Sequence, residues 1–201
     1  PDMKKLLCTA TALFAALSLS TAAFASGGVV KSTANEMNVV TFESGSETQA
    51  KLQYMADSDP DNFYAGLSTD WDDCAFADLF DDQNAFLYAF EINPSIPSTT
   101  VPTIVIYNPF DADGDAAINP KDVVFYRISN GTLEDVSSYF TVGENDSGDT
   151  IFTVRTRTPG TYILAEKEVD LASVSKPSAT AEPKETAAKT DATGLYLPSR
   201  R

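Results

Sequence analysis

Apolar and polar residues alternate along much of this chain with the two-residue period of a β-strand. Ala50, Leu52, Tyr54 and Ala56 alternate with Lys51, Gln53 and Met55, and Phe86, Tyr88, Phe90 and Ile92 alternate with Leu87, Ala89 and Glu91. Each segment therefore places one apolar row on one face. Residues 103–107 (TIVIY) and 123–128 (VVFYRI) are almost continuous apolar runs rich in β-branched and aromatic side chains, the pattern of central strands. The strand period begins at Met37, and residues 139–142, 150–158 and 161–165 complete the series. Turn chemistry interrupts these runs at Asn130-Gly131, Ser147-Gly148, Pro159-Gly160 and the cluster of Pro94, Pro97 and Pro102. Eight or so short strands at this spacing predict an all-β fold, an antiparallel β-sandwich of Ig-like or jelly-roll-like type. A helix is expected only over residues 74–80, one or two turns long, with Phe76, Leu79 and Phe80 on one face.

The amino-terminal end has a different pattern. Lys4 and Lys5 precede an apolar run from Leu6 to about Leu19, and Ala23-Phe24-Ala25 supplies the small residues that a signal peptidase requires. Residues 1–25 read as a signal peptide, with Pro1 and Asp2 ahead of the start methionine and Ser26 opening the mature chain. Cys8 stands at the front of the apolar run, whereas a lipid-attachment cysteine would close it. No later segment approaches the ~20 apolar residues of a spanning helix, so no membrane span is expected in the mature chain. Residues 26–36 are small and polar and read as a flexible segment, 37–169 as the sandwich, and 170–201 as a disordered stalk or linker. That last stretch mixes Pro, Ala, Ser, Thr, Glu and Lys and holds too little apolar surface to fold by itself. Thr193-Gly194 lacks a complete Leu-Pro-x-Thr-Gly wall-sorting signal.

Composition narrows the function classes. The chain has 201 residues, with 14 basic and 29 acidic side chains and no histidine. Cleavage after Ala25 removes Lys4, Lys5 and Asp2 and leaves 12 basic against 28 acidic residues, a net charge of −16. Such a surface repels nucleic acid and favours cations. Without histidine, Ser-His-Asp and Cys-His catalysis, the usual zinc sites and imidazole pH switching are excluded. Cys74 is the sole cysteine of the mature chain, so no intramolecular disulfide forms despite the oxidising destination, and Cys74 reads as a small buried hydrophobe.

Three groups of residues are candidates for chemistry. In FDADGDAAINPKD, residues 110–122, an EF-hand-type loop would bind calcium through Asp111, Asp113, Asp115, the carbonyl of Ala117, Asn119 through water, and Asp122, with Ile118 as the apolar residue at position eight. The spacing resembles dockerin calcium loops, which also close with Asp. Ala116 stands where the sharp turn wants glycine, and a strand rather than a helix follows at residue 123, so an acidic turn between strands is the competing reading. Calcium bound there would have the ~0.1 to 1 mM affinity of extracellular sites. Around Trp71 crowd Asp70, Asp72, Asp73, Asp78, Asp81 and Asp82, which would serve either a carboxylate-dependent glycosidase, a sugar-stacking platform on Trp71, or simply a packed tryptophan among solvated acids. Arg155 and Arg157 share one face of a late strand, where pairing with carboxylates is the expected outcome.

The segments NAFLYAFEINPSIPSTT, VVFYRI followed by NGTLEDV, and FTVRTRTPGTYILAEKEV together resemble exported proteins of Gram-positive gut anaerobes of the clostridial group. The resemblance covers residues 81–169, about half the chain, and departs at Pro159, where those proteins carry Leu. It implies secretion and surface display and brings no catalytic residues. The combined expectation is a secreted or surface-displayed bacterial module, non-catalytic, binding an extracellular glycan or protein. A calcium-dependent carbohydrate-binding module is the alternative, and a carboxylate-dependent glycosidase is a further one.

Overall fold

The expected alternation is realised in the backbone. In the computed structural model, which describes residues 20–112 and 118–173, twelve strands form: β1 Ser20–Phe24, β2 Gly27–Val30, β3 Met37–Ser44, β4 Glu47–Met55, β5 Phe63–Ser68, β6 Ala85–Asn93, β7 Thr103–Tyr107, β8 Val124–Ser129, β9 Thr132–Asp135, β10 Thr141–Glu144, β11 Thr150–Arg155 and β12 Thr161–Ala165. They make two six-stranded sheets, ordered β1-β3-β4-β7-β11-β10 and β2-β5-β6-β12-β8-β9. The sheets pack face to face as in a β-sandwich. All pairs are antiparallel except β1 with β3, which is parallel with Ser20 opposite Asn38 and Phe24 opposite Phe42. The first sheet is therefore mixed, a departure from the purely antiparallel expectation. The Asn130-Gly131 turn joins β8 to β9, with both residues at positive φ of 50° and 71°, the conformation that a two-residue hairpin demands.

Four strands lie where alternation gave no signal. In β2, Gly27 and Gly28 have no side chain to alternate, and only Val30 is buried. The strand is recruited by its hydrogen-bonded register with β5, so the sandwich reaches into the 26–36 segment and, through β1, into residues expected to belong to the leader. The anticipated helix is a single 3₁₀ turn, Ala77–Phe80. Among the described residues, no helix is long and apolar enough to cross a membrane.

Between the sheets lies an aromatic-rich core. Ala50, Leu52, Tyr54 and Ala56 are all buried, as their alternation predicts. Phe125 stacks on Phe140 at 4.1 Å and meets Phe152 edge-on at 5.0 Å, while Phe42 meets Phe90 edge-on at 5.7 Å. These offset and edge-to-face geometries are the favourable ones for ring quadrupoles, and each buried ring contributes ~1.5–3 kcal/mol by transfer. Asn38 is the one buried polar side chain among the described residues. It accepts from Thr33 N at 2.8 Å and donates to the carbonyls of Thr33 and Glu36, both at 2.9 Å, tying the segment before β3 to the sheet.

The outer face of the second sheet carries another, smaller core. Phe76 and Phe80, from the segment between β5 and β6, pack on Leu87, Tyr126, Leu133 and Ile163. The same segment is tied to the chain leaving β12: Glu166 N donates to the Asn84 carbonyl at 3.0 Å, and Lys167 N to Gln83 Oε1 at 2.7 Å.

Candidate functional site

The acidic loop connects β7 to β8. These strands belong to different sheets, so the loop is a crossing between sheets and not a hairpin. Its ends are held by the core: Phe110 is buried edge-on to Phe86 at 5.0 Å, Ile118 packs on the main core, and Val123 is buried. Asp111 lies in the 3₁₀ turn Pro109–Ala112. Asp113, Asp115 and Ala117 lie outside the described residues. Asn119 is exposed; its Oδ1 accepts from Lys121 N at 3.1 Å and its carbonyl from Asp122 N at 2.8 Å, so it closes a local turn that carries an exposed Asp122. Among the described residues, no group of three or more acidic, cysteine or histidine side chains is arranged to hold a metal.

Trp71 sits in the segment that covers the second sheet. It is half-buried, with its ring 5.8 Å from that of Phe80 and tilted by 48°, and Phe80 in turn meets Tyr126 edge-on at 5.6 Å. The indole is thus packed on one side by Phe80 and keeps partial contact with solvent. Cys74 is half-buried in the same cluster, close to its expected role as a small hydrophobe. The six surrounding aspartates, Asp70, Asp72, Asp73, Asp78, Asp81 and Asp82, are all exposed, and Asp70 Oδ1 accepts from the backbone N of Asp72 at 3.1 Å. A glycosidase pair needs two carboxyls held about 5 to 10 Å apart across a bond; these six acids lie on one exposed segment.

Beside this cover is a concavity that sequence reasoning missed. An open cavity of about 430 Å³ is lined by Tyr126, Asp135, Glu168, Val169, Asp170, Leu171 and Ala172. Among the lining residues, Tyr126 accepts through its hydroxyl from Val169 N at 2.8 Å. Burial pushes the Tyr126 phenol up, and the negative charges of Asp135 and Glu168 push it the same way. The three elements come together only through the β8–β9 hairpin and the fold-back after β12. The cavity is open and lined by Asp135, Glu168 and Asp170, so it suits a cationic or hydroxyl-rich group rather than an anion.

The expected shared strand face of Arg155 and Arg157 does not form, because β11 ends at Arg155 and Arg157 lies beyond it. Arg155 is exposed, and Arg157 donates through Nη2 to the Thr99 carbonyl. Neither pairs with a carboxylate among the described residues; Lys167 with Glu166 at 3.6 Å is the one ion pair there. Arg127 similarly donates to Thr158 O and Oγ1, both at 3.2 Å, with its Nε buried and unpartnered.

The chain matches no protein-family model and no curated protein.

Proposed function

We propose that this is an exported bacterial protein whose β-sandwich, of Ig-like or jelly-roll-like type, acts at the cell surface as a non-catalytic binding or structural module. Of the expected stalk, 170–201, the structure describes only the start, which holds the 3₁₀ turn Leu171–Ser173; the rest lies outside the described residues. The observation that carries this reading is the union of a leader-type amino terminus with an all-β domain whose candidate acids, Asp70 to Asp82, all stand exposed. The acidic surface and the concavity at Tyr126 support a polar extracellular ligand, glycan or protein, over nucleic acid. Fractionation of cells expressing the full chain, with intact mass of the recovered protein, tests the export half. The expected result is a chain outside the membrane that begins at Ser26; an uncut chain in the cytosol overturns it. A glycan array probed with that protein tests the binding half.

A calcium-dependent carbohydrate-binding module is the second reading. It is favoured by a loop whose two ends are pinned to the core at Phe110 and Ile118, since a fixed span lowers the entropic cost of ordering ligands around an ion. Calcium would then raise the melting midpoint and a chelator would reverse the rise. An unchanged midpoint removes this reading, and a glycan signal that survives Trp71→Ala removes the stacking role of Trp71.

A further inference from the structure

Each sheet ends in two strands that are paired on one side only, β1 and β10 in the first and β2 and β9 in the second. A strand edge with free N–H and C=O groups is a template for another strand, and proteins blunt such edges with charge. Strand β9 carries exposed Glu134 and Asp135, and β10 carries exposed Glu144. Strand β1 lies in the segment read as the leader. In β2, by contrast, Gly27, Gly28, Val29 and Val30 hold neither charge nor proline. The hydrogen bonding of β2 fixes which of its backbone groups are free. Leu67 N donates to Ser26 O at 3.1 Å, so Ser26 and Leu67 form a hydrogen-bonded pair, and such pairs recur at every second residue of an antiparallel ladder. Gly28, opposite Ala65, and Val30, opposite Phe63, therefore turn their N–H and C=O groups to β5. Gly27 and Val29 turn theirs away from it, to an edge that no strand pairs among the described residues. The Val29 side chain is 62% exposed, and only Tyr139 rivals it among the described large apolar residues.

This edge is complementary to itself. When two copies meet about a twofold axis at Val29, antiparallel pairing sets Val29 against Val29 of the second copy, and Gly27 against Lys31 at either end. Every outward N–H and C=O group of Gly27 and Val29 then finds a partner. The two valines face each other on one side of the joined sheet with Cα atoms ~5.5 Å apart, close enough for their methyl groups to pack. Gly27 has no side chain to obstruct the aliphatic stem of the lysine opposite. The two Lys31 residues stand at opposite ends of the pairing, ~14 Å apart and beyond a Debye length at physiological salt. Residues 27–31 follow the expected cleavage site, so the edge is the same in the precursor and in the processed chain.

We propose that two copies of the protein pair through β2 into a twofold dimer, which joins their second sheets into one continuous sheet. A standard interface takes about 20–30 residues a side and this one about five, so the dimer is weak and depends on concentration. Each copy has a net charge of −15, so salt strengthens the pairing by screening the repulsion. The test is sedimentation velocity on the full chain from ~10 μM to ~1 mM, at low and high salt, for the wild type, Val29→Ile and Val29→Lys, with residue-resolved amide exchange at both ends of that range. The wild type and Val29→Ile dimerise, more so at high salt. Val29→Lys sets two like charges directly opposite each other and weakens dimerisation about tenfold or more, with its melting midpoint unchanged because the position is exposed. As the dimer forms, the amides of Gly27 and Val29 slow, while those of Gly28 and Val30, already bonded to β5, do not. A wild type that stays monomeric across the range overturns the proposal. Equal dimerisation of Val29→Lys and the wild type overturns it too, as does a dimer in which the Gly27 and Val29 amides exchange as fast as in the monomer, which places the contact on another surface.

Discussion

The two sheets share one core but differ on their outer faces. Outside β4, Lys51 and Gln53 are half-exposed, and Lys51 Nζ lies 5.3 Å above the Tyr107 ring, a polar surface with an apolar stem laid along it. Outside β8 and β12, Tyr126, Ile163 and Ala165 are buried under Phe76 and Phe80. A strand with one wet face alternates, and a strand with two dry faces does not. That is why β4 reads as clean alternation and β8 and β12 read as nearly continuous apolar runs. The covered sheet also carries Tyr126, which lines the concavity together with Asp135 and the chain after β12.

The largest effect that would break this comparison is alkaline, because buried phenols lie in both cores. Burial pushes Tyr54, Tyr88, Tyr126 and Tyr162 above the ordinary value of 10.0. A raised folded-state value means that the unfolded chain binds fewer protons above pH 10, so stability is complete below that pH and falls as pH rises through the folded-state values. One cooperative unfolding transition above pH 10 is expected, with phenolate absorbance appearing in the same step. Gradual titration of all eight tyrosines without loss of near-UV dichroism would sink the assignment.

Next come substitutions that separate the cores. Phe152 is fully buried between the sheets and packs on Phe125; Phe152→Ala should cost ~3–5 kcal/mol in denaturant unfolding, with a single transition. Phe80→Ala should cost less, ~2–3 kcal/mol, because the covering segment can settle into the space. Its mark is a Trp71 fluorescence transition that precedes the loss of β-structure. Coincident transitions for both variants would mean that the cover is one unit with the sandwich.

How far the sequence disclosed this arrangement depends on what holds each element. Strands whose own side chains alternate, such as Ala50 to Ala56, were legible, and so was the Asn130-Gly131 turn. The strands β1, β2, β5 and β9 were not. Gly27, Gly28 and Gly66 carry no pattern, and these short strands exist because a neighbour offers hydrogen bonds. Leu87 and Ala89 read as the exposed side of β6 but lie beneath the cover, which only tertiary packing could reveal. For the candidate sites, Trp71 was identified but not its stacking on Phe80, and the Tyr126 concavity was illegible since Asp135 and Glu168 are far apart in the chain. Within the calcium loop, Asn119 and Asp122 are placed and exposed, whereas Asp113, Asp115 and Ala117 fall outside the described residues.

A smaller effect separates packing from recognition at Trp71. The indole is half-buried, so Trp71→Ala should cost ~1–2 kcal/mol, below the full cost of truncating a buried aromatic. Trp71→Phe should restore most of that stability by keeping a ring against Phe80. If a glycan ligand is found, loss of binding in Trp71→Ala with recovery in Trp71→Phe marks the exposed part of the ring as the contact. Loss of stability alone, with binding intact, assigns Trp71 to the cover.

The smallest predicted effect tests how the cover's far edge is held. Tyr126 donates its ring to the second core, but its hydroxyl serves a different purpose, accepting from Val169 N as the chain folds back after β12. Tyr126→Phe keeps the ring and its contact with Phe80 and removes only that acceptor. Val169 is half-buried beside an open cavity, so water can take over the freed N–H, and the global cost should stay at ~0.5–1.5 kcal/mol. The local consequence is larger than the global one: amide exchange at Val169 should accelerate while Glu166, whose N–H bonds to the Asn84 carbonyl, stays protected. Acceleration that extends to Glu166 would show that the phenol holds the entire fold-back, and with it the wall of the cavity.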